Sequence, residues 1–139
     1  MDFGNGAGDE NVFFALSNGT SGKPELRVYG SGGGKSGVIS DKTLPLNQWI
    51  HLAGTYDSSN GASVIYMNGE IVGSGTISET PPNITRTRNY IGKSNWTNED
   101  HTTGAIDEFR IWNVVRTQAE IEASMFCNMS NPPSSVVTY

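Results

Sequence analysis

Cysteine is almost missing from this 139-residue chain, in which Cys127 stands alone. One thiol cannot close an internal disulfide, and thiolate clusters are excluded as metal sites. Cys127 reads as an inert thiol or as one that pairs outside the segment. Charge is scarce too, at 17% of residues, and leans acidic, with a net charge of -5. The nine Lys and Arg are scattered rather than gathered into a patch, so a phosphate backbone is repelled and nucleic acid is excluded as a partner. No apolar run approaches the ~20 residues of a bilayer-spanning helix. No charged-then-apolar leader precedes Asp2, so a signal peptide is taken as removed or the chain as an excerpt of a longer one.

What the chain has is glycine, 17 residues of it, many Ser, Thr and Asn, and a hydrophobic fraction of 35%. That composition suits short strands joined by many turns in one domain. Val12 to Leu16 reads as a strand buried on both faces. Glu25 to Tyr29 alternates, with Leu26 and Val28 on one side, and reads as half buried. Gly30 to Gly34 is a loop, and Val38 to Ser40 begins another strand. Trp49 to Tyr56 is the longest strand candidate, and Asp57 to Gly61 turns it into Val64 to Met67. Asn68-Gly69 then leads into Glu70 to Gly73, because a type I′ hairpin needs positive φ at both central positions. Asn89 to Ile91 is a short strand, Lys93 to Thr103 a polar loop, and Gly104 to Trp112 the last long strand. Thr117 to Glu120 fits a capping box opening a helix to about Met125. Asn131 to Ser135 is linker-like, and Val136 to Tyr139 is a β-prone tail with no obvious local partner. The expected fold is all-β, an antiparallel sandwich with one short helix near the C-terminus.

Five segments occur in order: Trp49-Ile50-His51-Leu52-Ala53-Gly54-Thr55-Tyr56-Asp57, Ile65-Tyr66-Met67-Asn68-Gly69, Ile91-Gly92, Gly104-Ala105-Ile106-Asp107-Glu108-Phe109-Arg110-Ile111-Trp112, and Arg116-Thr117 with Glu120-Ile121. Together, over about Pro45 to Met125, they resemble the laminin-G-like, concanavalin A-like jelly-roll family, with pentraxins as distant relatives. Phe3-Gly4-Asn5-Gly6 resembles a region that family members reach only after several opening strands. The resemblance therefore implies a domain over residues 1–126 that lacks N-terminal strands, followed by a linker and tail over 127–139. Missing strands leave backbone groups unpaired, so truncation, or strands from another chain, is expected. Val136, Val137, Thr138 and Tyr139 are candidates for donation in strand addition.

The alternation along Gly104 to Trp112 places Asp107, Phe109 and Ile111 on one face, so Asp107 points toward the core and needs partners. The family resemblance implies that such an aspartate helps hold a structural calcium, which takes mixed oxygen ligands. The alternative is that Asp107 caps amides or pairs with an Arg. In the 93–101 loop, Trp96 suits stacking on a sugar ring while Asn98, Asp100 and His101 hydrogen-bond its hydroxyls. Trp96 folded back over the sheet edge is the competing expectation. His51 reads as structural, Trp49 and Trp112 as core or rim packing, and Gly8 to Asn11 as a turn. Four sequons, at Asn18, Asn83, Asn95 and Asn128, are candidate glycosylation sites. Chance placement of this chain's Asn, Ser and Thr would give roughly 2.5 of them, so they point only weakly to secretion.

Catalysis finds little support. No strand offers the same-face carboxylates of glycosidases on this sandwich. His51 and His101 come with no Ser or Cys nucleophile motif, and Gly30 to Gly34 lacks a phosphate-cradling ending on a helix. The expected function is a secreted or cell-surface recognition and adhesion module for glycan or protein ligands. The alternatives are a structural subunit of a homo-oligomer or filament built by strand exchange and, more remotely, an accessory domain of a glycosidase.

Overall fold

The computed structural model describes residues 1–8, 10–99, 101–127, 129 and 132–138. Ten strands and one helix follow in order: β1 (Asp2–Gly4), β2 (Val12–Ala15), β3 (Glu25–Tyr29), β4 (Lys35–Ile39), β5 (Leu52–Tyr56), β6 (Ala62–Met67), β7 (Glu70–Thr76), β8 (Arg88–Tyr90), β9 (Ile111–Trp112), α1 (Gln118–Ser124) and β10 (Val136–Thr138). They form an antiparallel β-sandwich with sheets ordered β4-β3-β2-β1-β8 and β5-β6-β7, plus a separate ribbon of β10 and β9.

The turns show why the chain folds this way. Asn68 and Gly69 both adopt positive φ, 51° and 84°, so the β6–β7 turn takes the backbone twist that matches its flanking strands. Asn68 also clips the start of β5, because its Oδ1 accepts the His51 amide at 2.9 Å and its own amide donates to the His51 carbonyl at 2.8 Å. At the β5–β6 turn, Asp57 Oδ1 accepts the Ser59 amide at 2.9 Å and Asn60 Oδ1 the Ala62 amide at 2.8 Å, the side chains standing in for backbone partners.

Alternation sends Leu26 and Val28 of β3 and Val38 of β4 inward, where they meet Ile65, Met67, Val72 and Ile77 from the other half. Ile65 and Val28 are completely inaccessible. Two glycines lie where the halves meet. Gly54 lies against the Phe14 ring and Leu26, where a Cβ would stand 3.4 Å and 3.5 Å away, and Gly73 lets β7 approach β4, where a Cβ would stand 2.9 Å from the Ile39 carbonyl. A backbone bond from the Asp41 amide to the Val72 carbonyl, 2.6 Å, joins the two edges there.

The helix has the expected capping box, with Thr117 Oγ1 accepting from the Glu120 amide while Glu120 accepts from the Thr117 amide. Four expectations are corrected. Gly104 to Trp112 is not one long strand: only Ile111 and Trp112 pair, and residues 104–110 make no ladder. An alternating pattern becomes a strand only where a neighbouring edge supplies hydrogen bonds. The tail does have a local partner, since Val136 pairs with Trp112 and Thr138 with Ile111. β2 is half-buried along its length rather than buried on both faces, because Phe13 sits on the outer face of its sheet. Trp49 lies outside the core, 70% exposed, on the segment before β5. Trp112 is half-buried, with the Arg116 guanidinium 4.2 Å from its ring centroid.

Candidate functional site

The site begins with a buried carboxylate. Asp2, on β1, is 4% exposed, and its oxygens accept from Asn11 Nδ2 at 2.8 Å, the Asn95 amide at 2.7 Å and Ser94 Oγ at 3.4 Å. A desolvated carboxylate is tolerable only when its lone pairs are filled, and these donors come from the β1–β2 connection and the loop after β8. Asp2 thereby fixes where that loop starts. Ser94 Oγ accepts the Trp96 amide at 3.2 Å, Asn95 Nδ2 donates to the Arg88 carbonyl at 3.1 Å, and the Thr102 amide closes the loop's neck on the Gly92 carbonyl at 2.9 Å.

So held, the loop turns Trp96 back over the outer face of the five-stranded sheet. Its ring centroid lies 5.4 Å from Tyr29 and, edge to face, 5.8 Å from Phe13. Packed there against the sheet, Trp96 keeps partial exposure. Between the loop and β8 lies a cleft of about 310 Å³ walled by Arg88, Tyr90, Lys93, Asn95, Trp96 and His101, with Glu99 also contributing. Lys93 Nζ sits 4.8 Å from the Tyr90 ring centroid, a cation–π contact that holds the ammonium at the cleft wall. A shallower depression of about 270 Å³, among Tyr56, Ser59, Asn60, Thr76 and Ser78, offers hydroxyls and no charged wall residue.

The candidate residues distribute as follows. Trp96 and His101 both line the cleft. Asn98 is exposed on the same loop but is not part of the wall, and Asp100 lies outside the described residues, as do Asn128 and Tyr139. Asn18 Nδ2 is engaged with Glu25 Oε2 at 2.8 Å and Asn83 is exposed. Asn95 is 8% exposed, and its Nδ2 donates to the Arg88 carbonyl.

Asp107 does not point into the core. It is exposed, and its Oδ1 accepts the neighbouring Glu108 amide at 2.8 Å. Glu108 takes positive φ, 52°, and Arg110 ties this stretch to α1 through the Ser124 carbonyl at 2.9 Å, with Glu108 and the Cys127 carbonyl as further partners. Among the described residues no group of three or more His, Cys, Asp or Glu is placed to hold a metal. His51 is half-buried; burial first, and then the charge of Arg110, hold its imidazole below the usual histidine range.

Sequence reasoning missed Asp2, Asn11, Arg88 and Tyr90. The alternation of β8 could have placed Arg88 and Tyr90 on one face, but nothing in Asp2-Phe3-Gly4 announces a buried carboxylate.

Over residues 1–122 the sequence matches the family described as the concanavalin A-like lectin/glucanases superfamily. The chain belongs to this superfamily. A crystal structure of an S-layer domain-containing protein from Clostridium thermocellum is similar at 28% identity and a TM-score of 0.51 over 88% of this chain. The chain spans 60% of the length of that structure. A search of curated proteins gives no match. No helix among the described residues is long and apolar enough to cross a membrane.

Proposed function

We propose that this lectin/glucanase-superfamily domain is a non-catalytic, extracellular recognition module that binds a glycan in the cleft between β8 and the 93–101 loop. The observation that carries this reading is the cleft wall itself. Two aromatic rings, Trp96 and Tyr90, stand beside the donors Arg88, Lys93 and His101, the combination of flat apolar surface and directional polar groups that a pyranose ring requires. The superfamily's name and a neighbour described as S-layer domain-containing support an extracellular setting. A fold alone does not name a ligand, so the site must carry the argument.

A glycan array with the intact chain tests it. Binding is expected, retained by Trp96→Phe and lost with Trp96→Ala; a blank array, or binding indifferent to Trp96→Ala, overturns the reading. The rival, assembly of copies by strand exchange, keeps one observation in its favour. The β9–β10 ribbon pairs two short strands through a Pro132-Pro133 linker, and the same pairing can form between two copies.

A further inference from the structure

We infer that the saccharide this cleft takes is acidic, bearing a carboxylate or sulfate that Arg88 and Lys93 engage. The inference rests on the glycan reading above and narrows it. The chain as a whole carries a net charge of -5 and has nine cationic side chains. Arg27, Lys42, Arg110 and Arg116 pair with Glu25, Glu70, Glu108 and Glu120. Arg86 spends its guanidinium on the carbonyls of Glu10, at 3.0 Å, and Pro82, at 3.2 Å. Among the described residues that leaves Lys23, Lys35, Arg88 and Lys93 with neither an ion pair nor a backbone carbonyl on the charged group, and two of these four wall the same cleft.

Their placement is specific. Arg88 and Tyr90 share one face of β8, two residues apart, while Lys93 is held over the Tyr90 ring from the loop side. An anionic substituent on a sugar seated near Trp96 and Tyr90 would meet a guanidinium fork and an ammonium at once, and charge-assisted bonds of that kind are the strong ones. Glu99 is the one carboxylate among the described wall residues.

The test uses the full chain against immobilised pairs that differ only in the anion: oligogalacturonate and its methyl ester, sialyllactose and its methyl ester, dextran sulfate and dextran. At least one acidic member is expected to bind with its neutral twin at least tenfold weaker. Arg88→Ala and Lys93→Gln are each expected to lower that affinity roughly tenfold, the effect of losing one hydrogen bond to a charged group. Lys42→Gln, remote from the cleft and paired with Glu70, serves as the control and is expected to change nothing. Preference within the carboxylate or the sulfate pairs identifies which anion is read. Equal binding of acidic and neutral twins overturns this inference and leaves the glycan reading standing. Binding to none of the saccharides overturns both. Retention by polyphosphate as tight as by the acidic saccharide marks a merely charged surface and overturns the inference as well.

Discussion

β3 has a hydrogen-bonded neighbour on each side, β2 and β4, whereas in the stretch 104–112 only the last two residues have any. The consequences for burial follow. In β3, Leu26 is 5% exposed and Val28 fully covered; in the other stretch Ile106 is 52% exposed. Alternating apolar residues supply a face that wants covering, but they do not supply the edge against which backbone amides and carbonyls must be satisfied. Where an edge exists, the face meets the opposite sheet and becomes core. Where none does, the chain satisfies itself locally, as Asp107 does with the Glu108 amide and Arg110 with the carbonyls of Ser124 and Cys127.

The comparison is sharpest at full burial. Ile65, on the central strand of the three-stranded sheet, has no accessible surface, so Ile65→Ala is expected to cost about 2–5 kcal/mol in chemical denaturation, the sum of lost transfer energy and a partly collapsed cavity. Next in size is Asp2→Ala. It strands the donors of Asn95 and Asn11 in a buried setting and is expected to cost about 1–3 kcal/mol. Because Asp2 anchors the loop that carries Trp96, its loss should also redden and weaken the tryptophan fluorescence signature of Trp96 against Phe13 and Tyr29. An unchanged spectrum in a Trp49→Phe, Trp112→Phe background would show that the loop does not depend on Asp2.

How much of this was legible follows the same line. Hairpins defined by their own turns were: Asp57 to Gly61 and Asn68-Gly69 announce themselves because positive φ and side-chain-to-backbone bonds demand particular residues at fixed positions. The Thr117 to Glu120 cap was legible for the same reason. Loop residues Trp96 and His101 were picked out for their chemistry and do line the cleft. Asp2, Asn11, Arg88 and Tyr90 were not, because they belong together only through the pairing of β1 with β8, which joins Asp2 to Tyr90 and Gly4 to Arg88 across more than eighty residues of sequence. The partner of the tail and the exposure of Trp49 were hidden likewise, since both are set by which edge meets which.

A smaller effect concerns His51, beside the Asn68 turn on the ordered side of the comparison. Its folded-state pKa is held below the usual value by burial and by Arg110. The unfolded chain therefore takes up a proton first as pH falls, so stability is full above about pH 6.5 and declines as pH drops from there toward the lowered folded pKa. The melting temperature is expected to fall between pH 7.5 and 5.5, and His51→Gln, which cannot protonate, should flatten that slope. A slope unaffected by the substitution would assign it to another group. The acid-range losses from Asp57 and Glu120, whose carboxyls are held low mainly by hydrogen bonds from Ser59 and Thr117, belong to a separate window below the ordinary carboxylate range.

The smallest expected effect is the one able to break the comparison. Half of Ile106 faces solvent. Ile106→Ser should therefore change unfolding free energy by no more than about 0.5 kcal/mol, as surface substitutions do, and should leave amides 104–110 exchanging rapidly with solvent while those of β3 are protected. If Ile106→Ser instead costs as much as Ile65→Ala, and the amides of 104–110 are protected, then this stretch is covered and paired in solution. Its alternation would then be doing what that of β3 does, and the edge it needs would have to come from a surface that the described residues of a single chain do not provide.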